Sequence, residues 1–403
     1  MPENPGAQPP SRSWRELGVV VSAVTAITLP TFLVGTLAVQ IRASMHFGAP
    51  ELGVVVGFFY AAAALAAAPS GNVAERVGGS RLLRNSVLAS AASLLLVAGV
   101  ASSWPELAAI MLLAGLASSA GQVGSNLFLA RRIPAARQGL AFGVKQAAVP
   151  LAALLGGLAV PALALTVGWR WAFVGAAALA LVSALALPRP RLTSAQRQAA
   201  ARARGPREPV GPLIALAVGF GLALTACSSL GAFLVTSAVA SGVPVGMAGL
   251  LAALASGTAV AVRVGVGALA DRRQGRHLVF VFGMIVMGAV GFSLLSLGSA
   301  LQRPLLLVPG AVLAFGVGWG WNGLFNFAVV RAHPAAPGRA TGITQTGGRV
   351  GSVLGPLIFG VLAAHLGYGW AWGLAALEAL SGAAVLLGAR RMLRTRSLPP
   401  VPG

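Results

Sequence analysis

GALADRRQGRH, Gly267 to His277, is the stretch on which the reading of this chain turns, together with an earlier copy, GNVAERVGGSR, Gly71 to Arg81. Each joins two long apolar runs through a small-residue turn, with one acid and several arginines at matching places. Gly71 and Gly267 stand 196 residues apart, as do Glu75 and Asp271. A second pair keeps nearly the same register. NLFLARRIPAARQGLAFGVKQ, from Asn126, returns 200 residues later as NFAVVRAHPAAPGRATGITQ, from Asn326. A one-residue slip then sets Gly143 against Gly342 and Gln146 against Gln345, 199 apart. The chain of 403 residues is therefore one unit of about half its length used twice, and a repeat of that size decides the architecture before any local reading.

Composition says where such a chain lives. Hydrophobic residues make up 57% and charged residues 9%, against about 45–50% and about 25% in soluble domains. A soluble enzyme with a polar shell is excluded. The formal charge of +21 would suit nucleic acid, but the placement of the charges argues against that partner. All but six of the 29 basic residues fall in the termini and in the loops of one side. The opposite loops hold Arg42, Arg170 and Arg303, and the apolar runs hold Lys145, Arg263 and Arg349. This is the positive-inside pattern, which puts both termini in the cytoplasm of a bacterial-type inner membrane. A lone cysteine, Cys227, allows no intramolecular disulfide, and four scattered histidines show no metal-ligand spacing. No cofactor and no metal are expected.

A membrane span needs roughly 20 mostly apolar residues. Twelve runs qualify: 17–40, 52–70, 82–102, 106–130, 139–165 and 169–187 in the first half, then 211–238, 246–269, 278–299, 304–330, 339–364 and 369–389. The first exceeds a signal-peptide core of about 7–15 residues and is expected to remain as span 1. The predicted fold is an all-α membrane protein of two six-helix bundles, 17–187 and 211–389. A basic cytoplasmic linker, 188–210, joins them, and its Ala/Arg-rich composition suits a short amphipathic helix lying on anionic lipid. Residues 1–16, with four prolines, read as a disordered tail, and 390–403 as a cytoplasmic tail. Small residues abound because lipid offers no hydrophobic drive for helix association and close backbone approach must supply it. Gly351, Gly355 and Gly360 with Pro356 in span 11, and Pro150 with Gly156 and Gly157 in span 5, mark packing strips or hinges.

The two loop stretches resemble the signature of the major facilitator superfamily, G-x-x-x-D-R-x-G-R-R between helices 2 and 3 and again between helices 8 and 9. The second copy matches at Gly267, Ala270, Asp271, Arg272, Gly275 and Arg276; the first keeps Gly71, Arg76, Gly78 and Arg81 but has Glu75 for Asp and Ser80 for Arg. The GVKQAAVP run, Gly143 to Pro150, is similar to the cyanate-transporter branch. Drug-efflux members carry G-P-x-x-G-G in helix 5, and here Pro150 lies too far from Gly156 and Gly157. The resemblance implies a monomeric carrier, not an enzyme, that works by alternating access between two rocking bundles. It also implies a conformational latch. Glu75 would meet loop arginines and the helix start at Gly338 to Thr341, and Asp271 the start at Gln138 to Ala141. A carboxylate at a helix N-terminus gains about 0.3–1 kcal/mol. The alternative is that these acids simply sit in solvent.

Charges inside spans cost at least about 2.5–3.5 kcal/mol at a helix centre, so each demands a reason. Arg349 sits about 15 Å along span 11 and Arg263 about 12 Å from the end of span 8. Lys145, six residues into span 5, can snorkel to the interface. All three are cationic, and apart from Glu106 at the first position of span 4, spans 1, 4, 7 and 10 contain no acid. Guanidiniums facing one cavity suit a small organic or inorganic anion, which Arg binds bidentately. Structural pairing or hydrogen bonds to helix carbonyls are the rival roles. Gln146 and Gln345 flank the same region. In span 10, Trp319, Asn322 and Asn326 recur at three and four residues and share a face, mirrored by Gln122 and Asn126 in span 4. Thr25, Thr28, Phe58 and Tyr60 would extend the wall. Glu378, the one acid away from the ends of a span, is by elimination the candidate proton carrier. The runner-up reading is proton-coupled efflux of a drug-like hydrophobic or cationic compound. An intramembrane enzyme would need a metal or nucleophile constellation that the sequence lacks.

Overall fold

A computed structural model of the protein describes residues 10–133, 135–188, 211–270, 277–332 and 337–396. Among them are twelve helices long and apolar enough to cross a bilayer. Spans 1 to 6 are Arg15–Thr36, Ala49–Val77, Gly79–Gly99, Trp104–Ala130, Ala141–Ala164 and Trp169–Ala186. Spans 7 to 12 are Gly211–Ala240, Val245–Val266, Leu278–Ala300, Pro304–Asn326, Ala340–His365 and Tyr368–Met392. Hydrocarbon offers no water to unpaired N–H and C=O groups, so an apolar run of this length must close its own hydrogen bonds as a helix. Twelve spans put the start of span 1 and the end of span 12 on one face, here the terminal face.

The pairing of spans repeats the sequence. Span 1 packs on spans 5 and 6, span 2 on span 4, and span 3 on spans 4 and 6. Adding six to each number gives the second bundle: 7 on 11 and 12, 8 on 10, 9 on 10 and 12. Between bundles, span 2 meets span 11, span 5 meets span 8, and span 1 meets span 7. The turns repeat as well: Gly168 before span 6 and Gly367 before span 12 have φ of 106° and 86°, a left-handed conformation that favours glycine.

Two ends differ from the sequence reading. The first helix starts at Pro10, so residues 10–16 of the expected disordered tail are helical. Glu16 is buried there at 8% exposure, because its Oε1 accepts from Arg132 Nη1 at 2.6 Å. That ion pair joins spans 1 and 4. The last helix runs to Arg396, which takes 390–396 out of the expected tail. The linker, 189–210, lies outside the described residues.

The bundles touch on the face opposite the termini. A β-carbon on Gly53 of span 2 would fall on the Pro356 carbonyl of span 11, and one on Gly157 of span 5 would lie 2.6 Å from the Gly249 carbonyl and Ala253 nitrogen of span 8. Glycine permits this contact because it has no side chain. Above the seam an outer cavity of about 420 Å³ is lined by Arg42, Ala43, Thr236, Ala240 and Tyr368, among others. Toward the terminal face the bundles part. No residue from Ala63 to Pro69 in span 2 is buried. Leu65, Ala68 and Pro69 are exposed there and the other four are half-buried. The bundles are thus closely packed at the opposite face and less closely packed toward the terminal face.

Gly157→Val is expected to overpack this seam and destabilise the protein by about 1–3 kcal/mol, read as a lower Tm in detergent. An unchanged Tm would contradict the close contact.

Candidate functional site

Of the three cations inside the spans, Arg263 and Arg349 bond across the bundle interface and Lys145 bonds within the first bundle. Span 5 divides into Ala135–Gln146 and Ala148–Ala159. The residue four places after Gln146 is Pro150, which has no N–H to give its carbonyl. Span 10 also divides: a wide helical turn, Val312–Val317, precedes a non-helical stretch at 318–321 and then the helix Asn322–Ala332. Arg263, 8% exposed on span 8, reaches both breaks. Its Nη1 donates to the Gln146 carbonyl at 2.7 Å and its Nη2 to the Trp319 carbonyl at 3.0 Å. Its Nε, also buried, has no partner.

Lys145, one residue before Gln146, is 2% exposed and does not reach the interface as the sequence allowed. Its Nζ donates to Asn126 Oδ1 of span 4 at 2.7 Å. The second bundle repeats this bond with a neutral donor: Gln345 Nε2 gives to Asn326 Oδ1 at 2.6 Å, and Asn326 Nδ2 gives to Asn322 Oδ1 at 3.2 Å. Both donors lie 19 residues beyond their asparagine. Lys145, rather than Gln146, is therefore the structural counterpart of Gln345, and the repeat runs here at 200 without the slip inferred from sequence. Arg349 is half-buried, and its Nη1 donates across the bundle interface to the Ala63 carbonyl of span 2 at 2.8 Å. Among the described residues the only ion pair is Arg132 with Glu16, so none of the three cations has a carboxylate partner.

The wall beside Arg263 is aromatic. Trp319, 6% exposed, has the Arg263 guanidinium 6.0 Å from its ring, with Phe315 at 5.0 Å and Phe32 at 5.9 Å. Phe32 and Phe315 are neighbours of the candidate site that the sequence reading passed over, since among so many apolar residues nothing marks them. The Gln146 carbonyl carried a signal, the proline four places on. Phe58 turns outward and is exposed, whereas Tyr60 is half-buried against Phe59. Thr25 and Thr28 are buried and bond to the Ala148 and Val24 carbonyls. Gln122 is half-buried on span 4.

The family pattern of the Major Facilitator Superfamily matches residues 19–348 and again 216–402. The chain belongs to the Major Facilitator Superfamily. Its twelve candidate spans fit the multi-pass membrane proteins of that family. Similar proteins include two named enterobactin exporter EntS. The one from Citrobacter koseri is 33% identical over 156 residues, covering 36% of this chain and 34% of that protein. The one from Escherichia coli O1:K1 / APEC is 35% identical over 145 residues, covering 34% and 32%. The chain thus matches about a third of the length of these relatives.

The first copy of the superfamily's loop signature is exposed at the terminal face. Glu75, Arg76 and Arg81 are exposed, and Glu75 has no hydrogen bond or ion pair among the described residues. Gly71 has open space at its β-position. Asp271, Arg272, Gly275 and Arg276 lie outside the described residues, and Gly267 is within the span 8 helix, Val245–Ala270. Glu378 is half-buried on span 12 without a partner.

Lys145→Gln keeps a donor for Asn126, as Gln345 does for Asn326, and removes a buried charge that is costly to desolvate. Its Tm is expected to equal or exceed that of the unmodified protein. A clear drop in Tm would mean that Lys145 has a structural partner beyond Asn126.

Proposed function

We propose that this transporter exports a small organic or inorganic anion by alternating access, taking it from the cytoplasm at the terminal face. The reading rests on one observation: Lys145, Arg263 and Arg349 lie inside the spans, the two arginines bonding across the bundle interface, with no carboxylate among the described residues to neutralise them. A transporter interior that keeps three uncompensated cations is favourable to a guest that brings the missing negative charge. Arg263 retains an unpaired Nε–H, and Lys145 uses one of its three donors, so both can bind such a guest without first losing all their bonds. Trp319, with Phe32 and Phe315 beside it, supplies an apolar face for the organic part. Asn322, Gln146 and Gln345 provide neutral polar groups near by.

The outward direction is supported by the relatives, which are named exporters of enterobactin. The basic loops support a cytoplasmic location for both termini in an inner membrane. The Glu75 and Asp271 loops would close over the terminal face once the bundles rock. Glu378 gives the second reading its footing. A carboxyl inside a span without a cation to hold it can carry a proton, which would couple export of a hydrophobic or cationic compound.

Flux measurements in proteoliposomes separate the two readings. Benzoate, oxalate, citrate and enterobactin form the anion panel, with tetraphenylphosphonium as the cationic arm. The anion reading expects Arg263→Ala and Lys145→Gln to lower anion flux at least about tenfold, the size of one lost charge-assisted bond. Undiminished anion flux in both variants overturns it. Cation flux that falls only in Glu378→Gln favours the second reading.

A further inference from the structure

The outer cavity lies beyond the closest approach of spans 1 and 7. A β-carbon on Gly35 would collide with the Gly231 carbonyl, and one on Gly231 would meet the Phe32 ring at 2.8 Å. Val39, four residues after Gly35, and Thr236, five after Gly231, line the cavity. At 1.5 Å per residue they stand roughly 6–8 Å further out. Phe32, which flanks Trp319 and through it Arg263, lies on the inner side of that contact. The backbone contact of the two spans therefore stands between the cavity and the candidate site. The volume of about 420 Å³ falls within the roughly 300–1,000 Å³ of small-molecule pockets.

One cation sets the chemistry of this cavity. Arg42 is half-buried; its Nε donates to the Phe47 carbonyl at 3.2 Å and its Nη1 to the Tyr368 hydroxyl oxygen at 3.5 Å. These bonds fix the guanidinium and leave Nη2 with no partner among the described residues. The Tyr368 hydroxyl accepts from Arg42 and keeps its own proton to donate. No Asp or Glu lines the cavity, and Glu51, four residues beyond Phe47, is turned to the Gly48 N–H at 2.9 Å. The remaining walls are largely apolar, with Val39, Phe47 and Val239 among them.

We propose that this cavity is a second ligand site, on the face opposite the termini, for an organic anion with a carboxylate head and an aromatic body. The carboxylate accepts from Arg42 Nη1 and Nη2, the bidentate mode that guanidinium favours, and from the Tyr368 O–H. The aromatic body covers Phe47, Val39 and Val239, which a bare inorganic ion would leave in water. Both bundles supply the walls: Arg42 and Phe47 follow span 1, Val239 ends span 7 and Tyr368 begins span 12. The ligand is held only while the bundles are packed at this face, and its binding favours that arrangement in return. The site uses none of the cations inside the spans, so it stands or falls apart from the anion reading above.

Equilibrium dialysis of 2-naphthoate against the full chain in phosphatidylcholine nanodiscs, corrected for empty nanodiscs, tests the site. Saturable binding is expected, and Arg42→Gln is expected to weaken it at least about tenfold, the size of one lost charge-assisted bond. Ala240→Trp fills the cavity without touching the guanidinium and is expected to weaken it as well, with an unchanged Tm showing that the fold is kept. No saturable binding below about 1 mM, or an affinity unchanged by both variants, overturns the site. Binding must also persist in Arg263→Ala; binding lost there and kept in Arg42→Gln belongs to the candidate site and overturns the proposal. Gly360→Ala would set a β-carbon 2.6 Å from the Ala49 carbonyl and spread spans 11 and 2 without altering a lining residue. It is expected to weaken binding severalfold, and an unchanged affinity overturns the dependence on bundle packing.

Discussion

A polar group inside a bilayer has no water to fall back on, and that constraint governs this protein at every scale. It forces the apolar runs into helices, since each must satisfy its own backbone. It also makes each helix break a local debt that some side chain must cover. Spans 5 and 10 are broken where the bundles face each other, and Arg263 covers the Gln146 and Trp319 carbonyls at once. Lys145 and Gln345 meet the same demand more simply by bonding to Asn126 and Asn326.

The asymmetry between the halves is where function enters. Duplication made two bundles whose helix pairings correspond one for one. The site departs from that symmetry. Lys145 stands where the second bundle has neutral Gln345, and neither Arg263 nor Arg349 has a basic counterpart 196 or 200 residues earlier, where Ala67 and Val149 stand. Each bundle carries positive charge that the other lacks at the matching position, with no ion-paired acid beside it among the described residues. The seam on the face opposite the termini is built from glycine contacts, while span 2 is less buried toward the terminal face. The carbonyl contacts of Arg263 and Arg349 also revise the picture of cations simply waiting in a cavity, because both already bond across the interface.

Sequence by itself determined the number of spans, the duplication, the superfamily and which residues carry charge inside the membrane. These are legible because hydrophobic length and charge placement act locally: roughly 20 apolar residues must span, and one buried arginine stands out in any apolar run. The sequence also carried the proline at 150, and with it the freed carbonyl at 146. Tertiary structure alone decided what those charges bond to. Whether Arg263 would meet an acid, lipid or a carbonyl depends on spans 5 and 10 arriving beside span 8, more than fifty residues away in each direction. The helical start at Pro10, the burial of Glu16 on Arg132 and the face on which the bundles pack closely are of the same kind. Each depends on which helices become neighbours, and in a bilayer that choice is made by close packing of small residues whose one-letter code is the same at a seam as anywhere else.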